Sequence, residues 1–212
     1  DGEYLDIKGE RYRLERRGRE FWVEMPDPEW RGDKASQPRV TRQIVMTTGS
    51  NHRQVYWYPT GQKRKLGQMP LVYLRKEERW IPRSAAFLRP SDVPFQQETA
   101  RWNITCIRCH ATQGRGRIAG PNDIDTDVVE FGIACEACHG PAEEHVRLNR
   151  DPKRRYQFHL REGGDPSIVN PARLSPSQSS QACGQCHGIW EFYSVQDGLN
   201  WSEHGYPYRP GD

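Results

Sequence analysis

Three short runs near the N-terminus carry apolar and polar positions in the rhythm of strands. Tyr4 to Ile7, Tyr12 to Leu14 and Phe21 to Met25 are β-prone, and Gly9-Glu10 and Arg17-Gly18 separate them. In the third run Phe21, Val23 and Met25 alternate with Trp22 and Glu24, the period of a half-buried strand. Pro26-Asp27-Pro28 ends that run, and the pattern predicts a polar loop through Gly32 and Pro38. A second β cluster starts at Gln43 to Thr47 and turns at Gly49-Ser50-Asn51-His52. It continues from Gln54 to Tyr58, turns at Pro59-Thr60-Gly61-Gln62, and ends with Leu71 to Lys76 and Trp80-Ile81 joined by Glu77-Glu78-Arg79. The aromatics Tyr56, Trp57, Tyr58, Tyr73 and Trp80 fit packing on a sheet better than a binding box.

Around Pro90 to Pro94 the pattern changes. Apolar periodicity weakens downstream and the helices should be short. Ser175 followed by Pro176 is an N-cap with proline at the first helical position, which predicts a helix leading into Cys183. Gly140-Pro141 closes one segment and opens another, whose Glu143 and Glu144 fall in the first turn, where the helix dipole favours acids. The expected fold class is α+β: a β-meander region over residues 1–94, then a domain of short helices and loops with little regular structure over 95–212.

What fills that second domain is legible in its cysteines. Cys106-Ile107-Arg108-Cys109-His110 returns as Cys135-Glu136-Ala137-Cys138-His139 and as Cys183-Gly184-Gln185-Cys186-His187, and these motifs hold all 6 cysteines. C-x-x-C-H is the c-type haem attachment motif: two thiols add to the haem vinyl groups and the histidine binds iron from one side. A zinc site, a redox dithiol or a disulfide framework could each explain one Cys pair. None explains three trailing histidines. The expectation is three covalent haem c groups, bound through Cys106, Cys109, Cys135, Cys138, Cys183 and Cys186, with His110, His139 and His187 as proximal iron ligands.

Composition changes meaning in that light. A hydrophobic fraction of 34% against 28% charged residues is a thin core for 212 residues. Each haem supplies a large apolar disc, so the cofactors are expected to form the core of the C-terminal half. The formal charge of +3 shrinks too. Each oxidised haem adds roughly −1, from two propionates and a ferric centre, and brings the holoprotein near neutrality. The basic clusters (Arg11 to Arg19, Arg53 to Lys65, Arg115 to Arg117, Lys153 to Arg155) are thus expected to be solvated faces, with some arginines pairing propionates, and no nucleic acid is expected as partner.

No apolar run reaches the length of a membrane span, so the chain is expected to be peripheral to a membrane at most. It begins Asp1-Gly2-Glu3 without a signal peptide. Haem is attached outside the cytoplasm, so a cleaved leader or a longer parent chain is expected, with a periplasmic or extracellular location.

The flanks of the motifs carry a resemblance. Gly132-Ile133-Ala134-Cys135-Glu136-Ala137-Cys138-His139-Gly140-Pro141 with His145-Val146 resembles the signature of multihaem cytochromes related to the tetrahaem cytochrome c of hydroxylamine oxidation. Ile168-Val169-Asn170-Pro171-Ala172-Arg173-Leu174 is similar to a subgroup found in large multihaem and repeat-containing cytochromes. The resemblance runs over residues 40 to 212. Relatives usually carry a further C-x-x-C-H upstream, and they continue beyond Tyr208-Arg209-Pro210-Gly211-Asp212, so the chain is expected to be a piece of a longer protein.

Four histidines remain for the distal iron positions: His145, His52, His204 and His159, in that order. The resemblance implies that His145 is a distal ligand. It should not serve the haem of His139, because two histidine Cα atoms across one iron lie roughly 12–13 Å apart. Six mostly helical residues span only about 9 Å, so His145 should reach a neighbour, the haem of His110 first. His52 sits in a Gly-Ser-Asn turn that lets backbone approach a flat cofactor. His204 lies in a tail with Trp201, Tyr206 and Tyr208, and His159 follows Tyr156 and Phe158.

Bis-histidine ligation closes the iron to substrate, so electron transfer through closely packed haems is the leading expectation, with other redox proteins, haem subunits or a larger complex or polymer as partners. The alternative is an oxidoreductase in which one five-coordinate haem acts on a small nitrogen or sulfur compound.

Overall fold

Valine, tyrosine and isoleucine at alternate positions build the first half of the molecule into two antiparallel sheets. The structure, a computed structural model, describes residues 2–86, 101–160, 163–188 and 191–212, with only the backbone of Thr105 and His159. The change of character at Pro90 to Pro94, and with it the 94/95 boundary, lies outside the described residues. The chain divides into two units: Asp1–Thr105 with Ala119–Asp125, and Cys106–Ile118 with Thr126–Asp212. The expected α+β class is observed.

In the first unit, β1 (Gly2–Ile7), β2 (Glu10–Arg17), β3 (Glu20–Pro26) and β4 (Arg39–Ile44) form one sheet in sequence order. β5 (Met46–Thr48), β6 (Arg53–Pro59), β7 (Leu66–Leu74) and β8 (Arg79–Pro82) form the second, also in order. The expected strand over Gln43 to Thr47 is split at Val45: Gln43 pairs with Trp22 in the first sheet, while Thr47 pairs with Tyr56 in the second. Arg39 to Ile44 have no clean alternation of apolar positions, which hid β4 in the sequence. Polar side chains on that strand find partners instead, such as Arg39 Nε with Glu24 Oε1 at 2.8 Å.

Tyr12, Val23 and Met25 from the first sheet and Tyr58, Met69 and Leu71 from the second bury one another in a single apolar cluster. Val23 is fully buried and Phe21, two residues back on the same strand, is 57% exposed. Period alone did not separate them, because Phe21 sits at the end of the strand, beyond the covered part of the sheet. Trp80 lies 5.2 Å from Tyr56 and 5.1 Å from Tyr73 between ring centroids, aromatic packing on a sheet as the sequence predicts. After a four-residue helix, α1 (Arg83–Ala86), the chain is next described at Arg101. Arg101 pairs with Glu29 at 2.5 Å, and Asn103 accepts from Leu66 N at 2.8 Å and donates to the Arg64 carbonyl at 3.0 Å. These contacts hold the residues just before the first Cys motif on the β-rich unit.

The second unit consists of short pieces. They are α2 (Ile107–His110), β9 (Ala111–Thr112), β10 (Ile118–Gly120), β11 (Asp123–Ile124) and β12 (Glu130–Phe131), the β10–β11 hairpin falling mostly to the first unit. Then come α3 (Cys135–His139), α4 (Glu143–Leu148), α5 (Pro152–His159), α6 (Pro176–His187) and α7 (Val195–His204). Ser175 caps α6 by accepting from Gln178 N, and Pro176 stands at its first turn, as its sequence predicts. No helix among the described residues is long and apolar enough to cross a membrane.

Candidate functional site: three Cys-x-x-Cys-His turns

Each Cys motif folds as one turn of helix that ends on its histidine. The first cysteine of the first motif closes a π-helical turn (Trp102–Cys106), and α2 ends at His110. α3 ends at His139 and α6 at His187. Positions i, i+3 and i+4 share one face of a helix, so both thiols and the imidazole of each motif project to the same side. Gly140, at φ +71°, lets the chain leave α3 directly after His139. α4 then begins at Glu143, with both acids in its first turn.

The three turns are gathered together. Cys109 Sγ lies 3.7 Å from the Cys186 carbonyl, joining the first motif to the third. Gln185 donates to the Ala137 carbonyl at 2.6 Å, joining the third to the second. Gly132 N donates to the His110 carbonyl at 3.1 Å, and the buried Thr112 hydroxyl donates to Gly132 O and accepts from Ala134 N, both at 2.9 Å. The loop entering the second motif thus hangs on the residues leaving the first. Gly132 has φ +87°, a conformation only glycine adopts at no cost. A gap of about 50 Å³ lies among these pieces, lined by Cys109, Ala137, Cys186, Trp201, Tyr206 and Tyr208 among others.

Arg108, inside the first motif, stacks 4.8 Å from the Trp201 ring and 5.5 Å from that of Phe192. It is a packed cation rather than a solvated one. Ser202 accepts from Arg117 N through its carbonyl at 2.7 Å and from Ile118 N through its hydroxyl at 2.9 Å, which fixes the end of α7.

No disulfide joins any of the 6 cysteines. Burial, then the neighbouring Cys109, push the Cys186 thiol up to about 11. Among the described residues, no group of three or more His, Cys, Asp or Glu is placed to hold a metal ion directly.

Two histidines have their Nδ1 atoms held. His139 Nδ1 lies 2.7 Å from the Val169 carbonyl and donates to it, which leaves Nε2 as the nitrogen open to a ligand bond. His145 Nδ1 lies 3.2 Å from Asp165 Oδ2, with Ser167 Oγ at 3.4 Å and Asn149 Nδ2 at 3.2 Å. Asn149 donates to Asp165 Oδ2 at 2.6 Å and to the His145 carbonyl at 2.9 Å, which places the Asp165 carboxylate beside His145 Nδ1. Burial raises the Asp165 carboxyl, but hydrogen bonds from the side chain and backbone of Ser167 and from Asn149, with the charge of Arg154, outweigh it and hold the group well below the usual carboxylate range. Arg154, in the basic stretch read as a solvated face, pairs with this carboxylate at 3.3 Å and stacks 4.9 Å from Phe158.

The other candidates are placed without such partners being their mark. His52 is exposed in the β5–β6 turn of the first unit, where its carbonyl accepts from Arg75 N at 2.9 Å. His204 is exposed at the last position of α7, and His110 and His187 are exposed at the ends of their helices. His159 ends α5, and its side chain lies outside the described residues. Asp165, Ser167 and Asn149 escaped the sequence reading. The one available signal was Asp165-Pro166-Ser167, a turn sequence whose Asx geometry is confirmed by Ser167 N donating to Asp165 Oδ1 at 2.9 Å.

These residues fit haem c on two grounds. Each helical turn presents the donor set on one face, and apolar side chains flank it uncovered, with Phe131 at 69% and Ile133 at 63% exposure just before the second motif. A hollow of about 360 Å³ beside His139, lined by Asp165, Ile168, Val169 and Leu174 among others, adds room. A hollow of about 230 Å³ in the first unit is lined by residues such as Tyr12, Pro26, Gln68 and Arg83, and has no cysteine or histidine.

The family model described as Cytochrome c554 and c-prime matches residues 79–140, which include the first two motifs; the third motif and His145 lie beyond it. Among solved structures the chain is similar to the undecahaem cytochrome from the S-layer of Carboxydothermus ferrireducens, at 20% identity and a TM-score of 0.42, over 68% of this chain and 18% of that one. It is also similar to the outer cell wall cytochrome OcwA, at 21% identity and a TM-score of 0.42, over 76% of this chain and 29% of that one. The chain therefore spans less than a third of either. No curated protein matches it.

Proposed function

We propose that the chain is an electron-transfer segment carrying three covalent haem c groups, most of them bis-histidine ligated, within a larger exported cytochrome or assembly of redox proteins. One observation carries this reading: three single helical turns, tied to one another by hydrogen bonds, each present two thiols and an imidazole on one face. Haem supplies one-electron iron chemistry when bound. The residues of the chain do the rest. Cys106, Cys109, Cys135, Cys138, Cys183 and Cys186 anchor the cofactors, and His110, His139 and His187 ligate from the proximal side.

His145 is the first distal ligand, followed by His52, His204 and His159. The Asp165 contact supports it, since ligating histidines characteristically donate their second ring N–H to a carboxylate or carbonyl. His145 serves a haem other than that of His139, that of His110 in the first instance. The uncovered apolar side chains around the motifs favour close burial of the macrocycles, which is what passes electrons from haem to haem.

The test is a mass measurement on denatured holoprotein together with a carbon monoxide difference spectrum. A mass excess of three haem groups is expected, with little carbon monoxide binding. Two or fewer attached haems would overturn the reading. Strong carbon monoxide binding by the wild type would favour the oxidoreductase alternative, with an open iron acting on a small nitrogen or sulfur compound.

A further inference from the structure

One five-residue segment, Asp165 to Val169, reaches back to both His139 and His145, and it treats them differently. His139 donates to a neutral carbonyl, that of Val169, at 2.7 Å. His145 faces an anionic carboxylate, Asp165 Oδ2, at 3.2 Å. The carboxylate is only 12% exposed against 33% for the histidine side chain. Around it stand donors alone: Ser167 Oγ at 2.6 Å, Ser167 N at 2.9 Å, Asn149 Nδ2 at 2.6 Å and Arg154 at 3.3 Å. Asn149 itself caps α4, and its backbone N bonds the His145 carbonyl at 3.0 Å. Asp165, Ser167 and Asn149 thus crowd Nδ1 of His145 and leave Nε2 as the nitrogen open to a ligand bond.

We propose that Asp165 is a positioning residue that lowers the reduction potential of the iron ligated by His145, so that the segment Asp165–Val169 builds a potential difference between two neighbouring haems. This rests on the reading of His145 as an iron ligand. With Nε2 on iron, Nδ1 carries the hydrogen, and a carboxylate 3.2 Å away draws that proton outward and makes Nε2 a stronger σ-donor, which stabilises ferric over ferrous iron. A carbonyl does this less, being uncharged. The couple concerned is one-electron ferric–ferrous exchange with a redox partner outside the chain. Nδ1–H stays on His145 in both states, so no proton accompanies the electron.

The experiment is a spectroelectrochemical titration of haem-loaded wild type, Asp165→Asn, Ser167→Ala and His145→Ala. Asp165→Asn should raise one midpoint potential while every haem stays attached and low-spin. Each tenfold loss in the preference of His145 for ferric over ferrous iron moves that potential by about 59 mV. Ser167→Ala removes a donor that competes for the carboxylate, so it should move the same potential down, a sign that general loosening of the fold would not give. Unchanged potentials in both variants would overturn the proposal, and should Asp165→Asn fail to fold, an unchanged or raised potential in Ser167→Ala would do so alone. His145→Ala should turn one haem high-spin and able to bind carbon monoxide, and adding Asp165→Asn to it should then shift nothing further. An equal shift in that background would mean that the charge acts through space and not through the histidine. A low-spin His145→Ala would instead defeat the ligand reading itself.

Discussion

The two units solve the problem of a core in opposite ways. In the first, side chains cover one another: Val23, Leu71 and Tyr58 have no measurable exposure, and the partly covered Leu5, Leu14 and Trp80 pack around them. In the second, full burial is rare and reaches only residues such as Ile107, Ala182 and Trp201, while Phe131, Ile133, Val146 and Tyr156 stand more than half exposed. Isolated exposed apolar residues mean little, but these flank the second motif and the helix of His145. The difference teaches that a β-rich unit can be specified by its own apolar pattern, whereas the Cys-rich unit has the surface of a protein that expects a large apolar partner. On the proposed reading, haem is that partner.

The largest test of that contrast removes one cofactor. Replacing Cys135 and Cys138 with alanine should lower the mass excess by one haem group and strip hydrogen-exchange protection from α3, α4 and the loop at Gly132. Protection in β6 and β7 should stay as it was. If the second unit kept wild-type protection and colour, side chains alone would hold it and the contrast would fail.

A smaller effect of the opposite kind belongs to the β-rich unit. Leu71→Ala deletes a fully buried side chain between the sheets and should cost about 2–5 kcal/mol of stability there, read from denaturant unfolding. The number of attached haems and the low-spin spectrum should not change. A loss of haem in this variant would show that the second unit depends on the core of the first.

Legibility in the sequence divides along the same line. The strands were readable where burial on one face imposes alternation, as at Val23 and Met25, and unreadable at β4, where polar residues are held by ion pairs and hydrogen bonds instead. Chain-local chemistry was readable in the second unit as well. The Ser175-Pro176 cap and the Gly140-Pro141 break both mark helix ends as expected. The motif cysteines and histidines follow from spacing alone. What spacing could not reveal is how the motifs are joined: Thr112, Gln185 and Asp165 act through backbone atoms or rings far along the chain, and only Gln185 belongs to a motif, at one of its two variable positions. Arg108 is a similar case. Two aromatic rings from the far end of the chain cover this charged residue inside a motif, a contact that no spacing announces.

The finest test of the contrast lies in Thr112, where the second unit behaves locally like the first. This side chain is 1% exposed, and its hydroxyl satisfies both Gly132 O and Ala134 N at 2.9 Å. Thr112→Val keeps the branched shape and removes only the hydroxyl, so no cavity opens. The carbonyl of the exposed Gly132 and the N–H of the half-buried Ala134 then lose their partner together, at a cost of about 0.5–1.5 kcal/mol. That cost should appear as faster amide exchange at Gly132 and Ala134, the residues leading into Cys135, with all haems still attached. The His110 carbonyl continues to hold Gly132 N, which limits the loss to a loosening of the loop. Unaltered exchange at both amides would show that Thr112 only fills space and that haem packing alone sets the spacing of the first two motifs.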